Sequence, residues 1–217
     1  MRFFWKCTCQ GWDYDAHHRE KREKILLRRC ERLLVKMRSG RFPFVERVCD
    51  TRPIHRGMFR WMTPWCFPYF AGNYRGDARF KCLTEYRVHV PGDDTVGTQP
   101  SMVFNELSVL RHATEKFIEA MEGPQVQAMP AQQQMIYAVQ GVSFVLAEFL
   151  RIHPYANGNG HMGRFAVWSL LLRLGIVPKK WPMEARPKDP PYSFCLWAYR
   201  HGQPQDLWQF MLDCITG

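Results

Sequence analysis

The hydrophobic residues of this chain recur mainly at helical spacing. Phe104, Leu107 and Leu110 begin one apolar stripe, and comparable stripes follow further along the chain. Glycine followed by proline ends that first segment at Gly123–Pro124. The pattern predicts a mainly α-helical fold with helices near 20–38, 104–121, 133–152, 161–174, 190–200 and 205–215.

One short stretch alternates between apolar and polar residues instead. Residues 84–90 (TEYRVHV) read as a β-strand, the PGDDTVG that follows reads as a turn, and TQPSMV can return as the partner strand. We therefore expect a short β-hairpin beside the helices. An edge strand of this kind can pair with an extended segment of another protein, and its candidate docking residues are Thr84, Tyr86, Val88 and Val90.

Positive charge is concentrated near the N-terminus. The 217 residues carry a net charge of +10, and residues 1–60 contain 16 Lys and Arg against 7 Asp and Glu, whereas residues 61–217 contain 14 against 13. Residues 1–50 are therefore interpreted as a basic segment. Its amphipathic helix, about 20–38, is expected to pack on or extend the core of the domain that follows over 51–217. A solvated helix face is favoured over a nucleic-acid surface because no nucleic-acid motif accompanies the charge.

The eight cysteines are scattered, and several occupy apolar positions such as Cys30 and Cys195. That pattern favours reduced core thiols over a disulfide framework. Cys7 and Cys9 with His17 and His18 are a weak zinc candidate, set against an unremarkable N-terminus. With no signal-peptide pattern, a cytoplasmic protein is expected, and secretion as an effector is the alternative.

The most informative stretch is HPYANGNGHMGRF, residues 153–165, between two strongly apolar runs. Gly158, Asn159 and Gly160 immediately precede a predicted helix, where exposed backbone N–H groups form an anion site. Arg164 lies one turn into that helix and can contact phosphate. His153 can exchange a proton near neutral pH. The combination suggests transfer of a phosphate-containing group.

This stretch resembles the signature of the Fic family, which runs HPF, any residue, Asp or Glu, GNGR, two residues, Arg. Two upstream segments, IHRGMF (54–59) and FAGNYRG (70–76), resemble the family's HRxLF and AGxYR segments. The predicted hairpin falls where the family carries its target-docking flap. The resemblance covers residues from about 50 to about 175 and implies a Fic-like helical domain.

The resemblance implies transfer of AMP from ATP to a Tyr, Ser or Thr hydroxyl of a target protein. His153 would be the general base, Gly158, Asn159 and Gly160 would hold the α- and β-phosphates, and Arg164 would stabilise the departing pyrophosphate. ATP would be the donor substrate, accompanied by Mg²⁺ or Mn²⁺. Catalysis would rest on positioning and charge stabilisation.

Two residues depart from the family pattern. Asn157 replaces the carboxylate that ligates magnesium, and an amide oxygen brings no charge to that ligand position. His161 replaces the first arginine, so a mostly neutral ring takes the place of a permanent cation at this nucleotide-binding position. The alternatives are therefore a Fic-fold protein with another nucleotide or phosphate-linked donor, and a catalytically weak module that binds a nucleotide or a partner.

Many Fic proteins are held inactive by a built-in inhibitory helix, which this sequence does not match. Inhibited Fic proteins carry a short helix with Ser or Thr, three residues, Glu, then Gly or Asn, but Glu122–Gly123 is preceded by Ile118 where the hydroxyl residue should be. We predict no built-in inhibitory helix, leaving a separate inhibitor protein or none. Neither a nucleic-acid partner nor a membrane partner is expected.

Overall fold

The architecture is taken from a computed structural model, which describes residues 9–13 and 19–217. These residues form ten α-helices and no β-strand. The helices are α1 (Arg19–Arg38), α2 (Phe44–Cys49), α3 (Arg52–Phe59), α4 (Lys81–Thr84), α5 (Val103–Glu122), α6 (Pro124–Gln127), α7 (Ala131–Ile152), α8 (Asn159–Arg173), α9 (Tyr192–Arg200) and α10 (Gln205–Thr216). Short 3-10 turns occur at Pro68–Phe70 and Pro100–Met102.

The mainly α-helical prediction is confirmed. Each of the six predicted helices is present, with ends within a few residues of those expected. The helices that the pattern did not predict, α2, α3, α4 and α6, contain only four to eight residues. One or two turns are too short to establish a hydrophobic period.

The centre of the fold is the pair of consecutive helices α7 and α8, which pack on each other. Helix α5 and helix α10 pack on α7, and α2 packs on α8. Helix α8 is buried almost all round, including its polar residues Asn159, His161 and Arg164. By length and composition α7 could cross a membrane, but core helices of soluble proteins share these properties, and 56% of its most apolar window is buried inside the fold.

The basic helix α1 shares this core. Leu26, Cys30 and Met37 are at most 5% exposed and belong to the same buried cluster as α7 and α8. The charged residues of α1 occupy its remaining faces, as expected for an amphipathic helix. The described part of residues 1–50 therefore packs on the domain that follows it.

The predicted hairpin is not present in this structure. Thr84 ends α4, and the chain then runs without regular structure as far as Gln99. Its backbone groups are paired with other elements: the carbonyl of Tyr86 accepts from Arg75 (3.1 Å), and the N–H of Gly97 donates to the carbonyl of Arg151 (2.8 Å). An alternating pattern over seven residues did not suffice to form a strand because these partners lie on neighbouring helices and loops. We call residues 85–99 the flap segment below.

The expectation of reduced core thiols is confirmed for Cys30, Cys195 and Cys214, which are free and buried, and is wrong for Cys9, Cys66 and Cys82. Cys9 and Cys82 form a disulfide, and Cys66 is also disulfide-bonded, whereas Cys30, Cys49, Cys195 and Cys214 are free. With Cys9 bonded to Cys82, the proposed zinc cluster loses one of its ligands. Its other members, at positions 7, 17 and 18, lie outside the described residues.

Candidate functional site

A cavity of about 1460 Å³ opens where the α7–α8 loop meets α1, α9 and the flap segment. The predicted loop residues line one side, from Asn157 to His161 together with His153 and Arg164. Glu20 and Glu23 of α1 line the same cavity. The residues singled out in the sequence are therefore brought together around one concave site, as expected for a ligand pocket.

His153 ends α7 in a left-handed backbone conformation. Its φ is 53° and its ψ is 58°, and its N–H donates to the carbonyl of Phe149. Its Nδ1–H donates to the carbonyl of Leu150 (2.8 Å), which leaves Nε2 as the proton-accepting nitrogen. Burial lowers the pKa of His153 to about 4, the bond to Leu150 opposes this, and the charges of Arg75 and Arg200 lower the pKa further. The ring is therefore neutral at pH 7.

Arg75 holds this strained helix end in place. Its Nη2 donates to the carbonyl of Ile152 (2.8 Å), its Nε to that of His153 (2.7 Å), and its backbone N–H to that of Pro154 (2.8 Å). The residue is fully buried. Burial lowers its pKa to about 10, so the guanidinium stays charged at pH 7. A cation is favourable there because the carbonyl end of α7 carries partial negative charge.

His55 connects the α7–α8 loop to the upstream segments. Its Nδ1 accepts the N–H of Gly72 (2.9 Å), and its Nε2–H donates to the carbonyl of Asn157 (2.9 Å). The ring stacks on Tyr155 at 3.7 Å between centroids, and the Tyr155 hydroxyl bonds Thr51 Oγ1 (2.7 Å). Burial lowers the pKa of His55 to about 3. Residues from all three recognised segments thus contact one another in the fold.

The glycine turn has a backbone conformation that requires glycine at position 158. Gly158 caps α8 with a φ of 82°, and no side chain caps the helix. A Cβ at this position would lie 2.5 Å from Phe59 and 3.1 Å from His55 Nε2. Only glycine fits, because both the backbone angle and the available space exclude a side chain. The first residues of α8, Asn159, Gly160 and His161, line the cavity.

Two asparagine side chains of the loop make structural hydrogen bonds. Asn159 Oδ1 accepts the N–H of Tyr155 (2.8 Å), and Asn159 Nδ2 donates to the Tyr155 carbonyl (2.9 Å). Asn157 Oδ1 accepts the N–H of Gly158 (2.6 Å), and Asn157 Nδ2 donates to the carbonyl of Trp12 (2.8 Å). These bonds explain how the loop keeps its shape.

The hydrogen bonds of the Asn157 side chain affect its expected role as a magnesium ligand. Mg²⁺ is usually held by one or two carboxylates with substrate phosphates, whereas Asn157 offers an amide oxygen that already accepts the Gly158 N–H. Within residues 9–13 and 19–217, no three His, Cys, Asp or Glu side chains are grouped to hold a metal ion. Asn157 in this arrangement does not fit the role of a magnesium ligand.

His161 and Arg164 both contact the segment that follows α8. The His161 Nε2–H donates to the carbonyl of Glu184 (3.0 Å), and burial, then the charge of Arg164, lowers its pKa to about 3. Arg164 donates from Nε to the carbonyl of Met183 (3.0 Å) and from Nη2 to that of Glu184 (3.2 Å). His161 is therefore neutral, and Arg164 is the cation that the motif places against the cavity.

The predicted docking residues occupy different environments. Tyr86 is 3% exposed, and its hydroxyl accepts the N–H of Trp12 (3.0 Å). Thr84 is exposed at the end of α4, Val88 is half-buried, and Val90 is half-buried and lines the cavity. The flap segment is fastened to α9 by the buried ion pair of Asp93 with Arg200.

Sequence reasoning assigned no role to several residues of the site. His55 and Arg75 were recognised only as letters of two segments, and the wall contributed by α9, including Tyr192 and Trp197, was not predicted. The only sequence feature that could have indicated a role for Arg75 was its position as an arginine in an apolar stretch, FAGNYRG. Its carbonyl partners lie 77 and 78 positions away in sequence, so no local pattern identifies them.

Comparisons with protein-family models and with curated proteins found no match for this chain.

Proposed function

We propose that this chain is a Fic-type transferase that moves AMP from ATP to a hydroxyl side chain of a target protein. The observation that carries the proposal is the pairing of His153 with the glycine turn in one cavity. His153 has Nε2 as its accepting nitrogen, and the turn before α8 presents an uncapped helix N-terminus. A proton acceptor beside an anion site is what transfer of a phosphate-linked group requires.

In the proposed reaction, His153 Nε2 takes the proton of the target hydroxyl as its oxygen attacks the α-phosphorus of ATP. The new oxygen–phosphorus bond forms as the bond from that phosphorus to the β-phosphate oxygen breaks, and pyrophosphate leaves. The turn at 158–160 orients the phosphates, and Arg164 offsets their charge. The cation expected with ATP, Mg²⁺ or Mn²⁺, has no suitable ligand in Asn157 as arranged here.

Intact-mass measurement tests the proposal. The protein and a lysate are incubated with ATP, other nucleotides and other phosphate-linked donors, each with Mg²⁺ or Mn²⁺. An added mass of one AMP from ATP is the expected result. An adduct of another mass would identify a transferred group other than AMP. If no donor gives an adduct, transferase activity is contradicted.

A second candidate is a module of the same fold that binds a nucleotide or partner without turnover. Two observations favour it: the side chain of Asn157 is engaged in the loop, and Arg164 donates to two main-chain carbonyls. Calorimetry separates the candidates, because this module binds a nucleotide but yields no adduct. In Asn157→Asp a carboxylate replaces the amide, and Mg²⁺-dependent labelling that appears only in this variant supports the second candidate for the native chain.

The flap segment is our candidate for target docking, because it borders the cavity through Val90, Pro91 and Gly92. Proline at Arg87 or Val88 removes a main-chain N–H that an extended target segment would use. We expect lower target modification with unchanged thermal unfolding. Unchanged modification in both variants contradicts docking here.

A separate inhibitor protein remains part of the proposal. Glu122, the nearest candidate for a built-in inhibitory glutamate, forms an exposed ion pair with Arg173 (2.6 Å). This pairing supports the expectation that Glu122 does not restrain Arg164. Strong activation by Glu122→Gly would contradict it.

A further inference from the structure

Two tryptophans project from one loop on the surface of the fold. Trp61 is 85% exposed and Trp65 is 78% exposed, which makes them the most exposed large hydrophobic side chains in residues 9–13 and 19–217. Both belong to residues 60–66, which follow α3 and which we call the Trp loop. Tryptophan is usually well buried, so two such side chains on one loop call for a ligand or partner.

The Trp loop is held firmly by its neighbours. Between the two tryptophans, Met62 is 3% exposed, and its carbonyl accepts the indole N–H of Trp12 (3.0 Å). Cys66 at the end of the loop is disulfide-bonded. Trp61 has a φ of 70°, a left-handed conformation that bulky residues rarely adopt. The backbone of Trp61 is therefore held in a conformation that the residue does not favour by itself.

Arginines lie at the base of this loop. Residues 51–76 contain no Asp or Glu. Arg29 of α1 donates to the carbonyls of Met58 and Arg60, which brings α1 against the base of the loop. Burial, then the nearby charges of Arg60 and Arg32, lowers the pKa of Arg29. We call Arg29, Arg32 and Arg60 the arginine cluster.

We propose that the Trp loop and the arginine cluster together form a docking surface for an anionic membrane. Indole rings favour the headgroup level of a bilayer, because one edge is apolar and the N–H remains hydrated. Arginines next to them attract the phosphates and the net negative charge of the lipid surface. Apolar anchors combined with basic residues are the usual requirements for binding at the interface without crossing it.

A nucleic acid would also attract arginine and aromatic residues, but the geometry favours the bilayer. Single-stranded nucleic acids bind along grooves whose aromatic side chains stack with bases. Trp61 and Trp65 project into solvent instead, and neither lines the cavity described above. The proposal revises the expectation of no membrane partner and does not depend on transferase activity.

Vesicle flotation of the whole chain tests the proposal. We expect binding to vesicles of phosphatidylcholine with 30% phosphatidylglycerol and weak binding to phosphatidylcholine alone, with the difference lost at high salt. Trp61→Ser with Trp65→Ser should abolish the binding. Arg32→Ser with Arg60→Ser should weaken it about fivefold per charge.

Matched variants control for lost charge and lost apolar surface. Lys180→Ser with Lys188→Ser removes two charges elsewhere, and Val109→Ser with Tyr137→Ser removes exposed apolar groups of α5 and α7. Both should bind as the parent chain does, and circular dichroism verifies that every variant folds. The proposal would be overturned if all four variants bound vesicles equally or if the chain showed no preference for the anionic lipid. It would also be overturned if the chain bound single-stranded RNA through the tryptophans and did not bind vesicles.

Discussion

His153 combines an unfavourable backbone conformation with a ring whose state is set by its neighbours. A left-handed conformation costs a non-glycine residue about 1–2 kcal/mol, and Arg75 offsets this through its bonds to the carbonyls of Ile152 and His153. The Nδ1–H bond to Leu150 fixes the neutral tautomer. Nε2 of His153 is therefore unprotonated and able to accept a proton before any ligand binds.

The free protein and its donor complex should differ in the pKa of His153. Burial holds the pKa near 4 in the free chain, whereas a bound polyphosphate adds negative charge and should raise it. A general base works best with a pKa near the working pH, so this rise would increase its efficiency.

NMR titration of the His153 ring checks the prediction, with the resonance assigned by its absence from His153→Gln. We expect a pKa well below 6.5 in the free protein and a higher value with saturating donor. A free-protein pKa at or above 6.5, or no rise on binding, contradicts the account.

Among the elements of the fold, the contact between the end of α7 and Arg75, in the segment before α4, is the most important one for the shape of the site. Three consecutive carbonyls, from residues 152 to 154, accept hydrogen bonds from Arg75. No other described side chain is shown to bond the Ile152 and His153 carbonyls. Loss of the guanidinium would leave buried acceptors without partners.

Arg75→Met should lower the free energy of unfolding by about 3–5 kcal/mol, because it removes buried charge-assisted hydrogen bonds at little change in length. Arg87→Met is the matched control, since Arg87 is exposed in the flap segment, and it should change stability little. Urea unfolding measures both. Equal losses in the two variants would show that Arg75 does not hold the α7–α8 loop.

Helices with many turns could be predicted from the sequence, whereas segments that depend on distant partners could not. Long helices such as α5 and α7 repeat their apolar period several times, so they were predicted close to their observed ends. The flap segment was mispredicted because Tyr86 bonds Trp12 and Arg75 rather than a facing strand. The loop residues of the site were recognisable because their chemistry is local, whereas His55 and Arg75 act through partners more than 70 positions away.

For the whole molecule, the buried His55 and His161 and the half-buried His153 couple stability to pH. Burial lowers the pKa of His55 and His161 to about 3 and that of His153 to about 4, whereas an unfolded histidine has a pKa near 6.5. Below that pH the unfolded chain binds protons that the folded chain does not. Stability is therefore full above about pH 6.5 and falls as the pH decreases toward the folded values.

When the pH falls from 7 to 5, each of these histidines should lower the free energy of unfolding by about 2 kcal/mol. Carboxylates contribute at lower pH, since the bond from Arg79 holds the pKa of Asp77 below its usual value. Urea unfolding across this range measures the loss. His161→Gln should reduce the pH dependence and exposed His112→Gln should not; equal slopes in both variants would contradict buried neutral histidines.

The central claim, that the cavity performs His153-dependent group transfer, is tested most directly by one comparison. The parent chain, His153→Ala and His112→Ala are incubated with the donor panel and a lysate, and adducts are measured by intact mass after donor binding has been verified by calorimetry. We predict that the parent and His112→Ala form the same adduct, while His153→Ala binds the donor but forms at least about 100-fold less adduct. Equal labelling by His153→Ala would contradict the account.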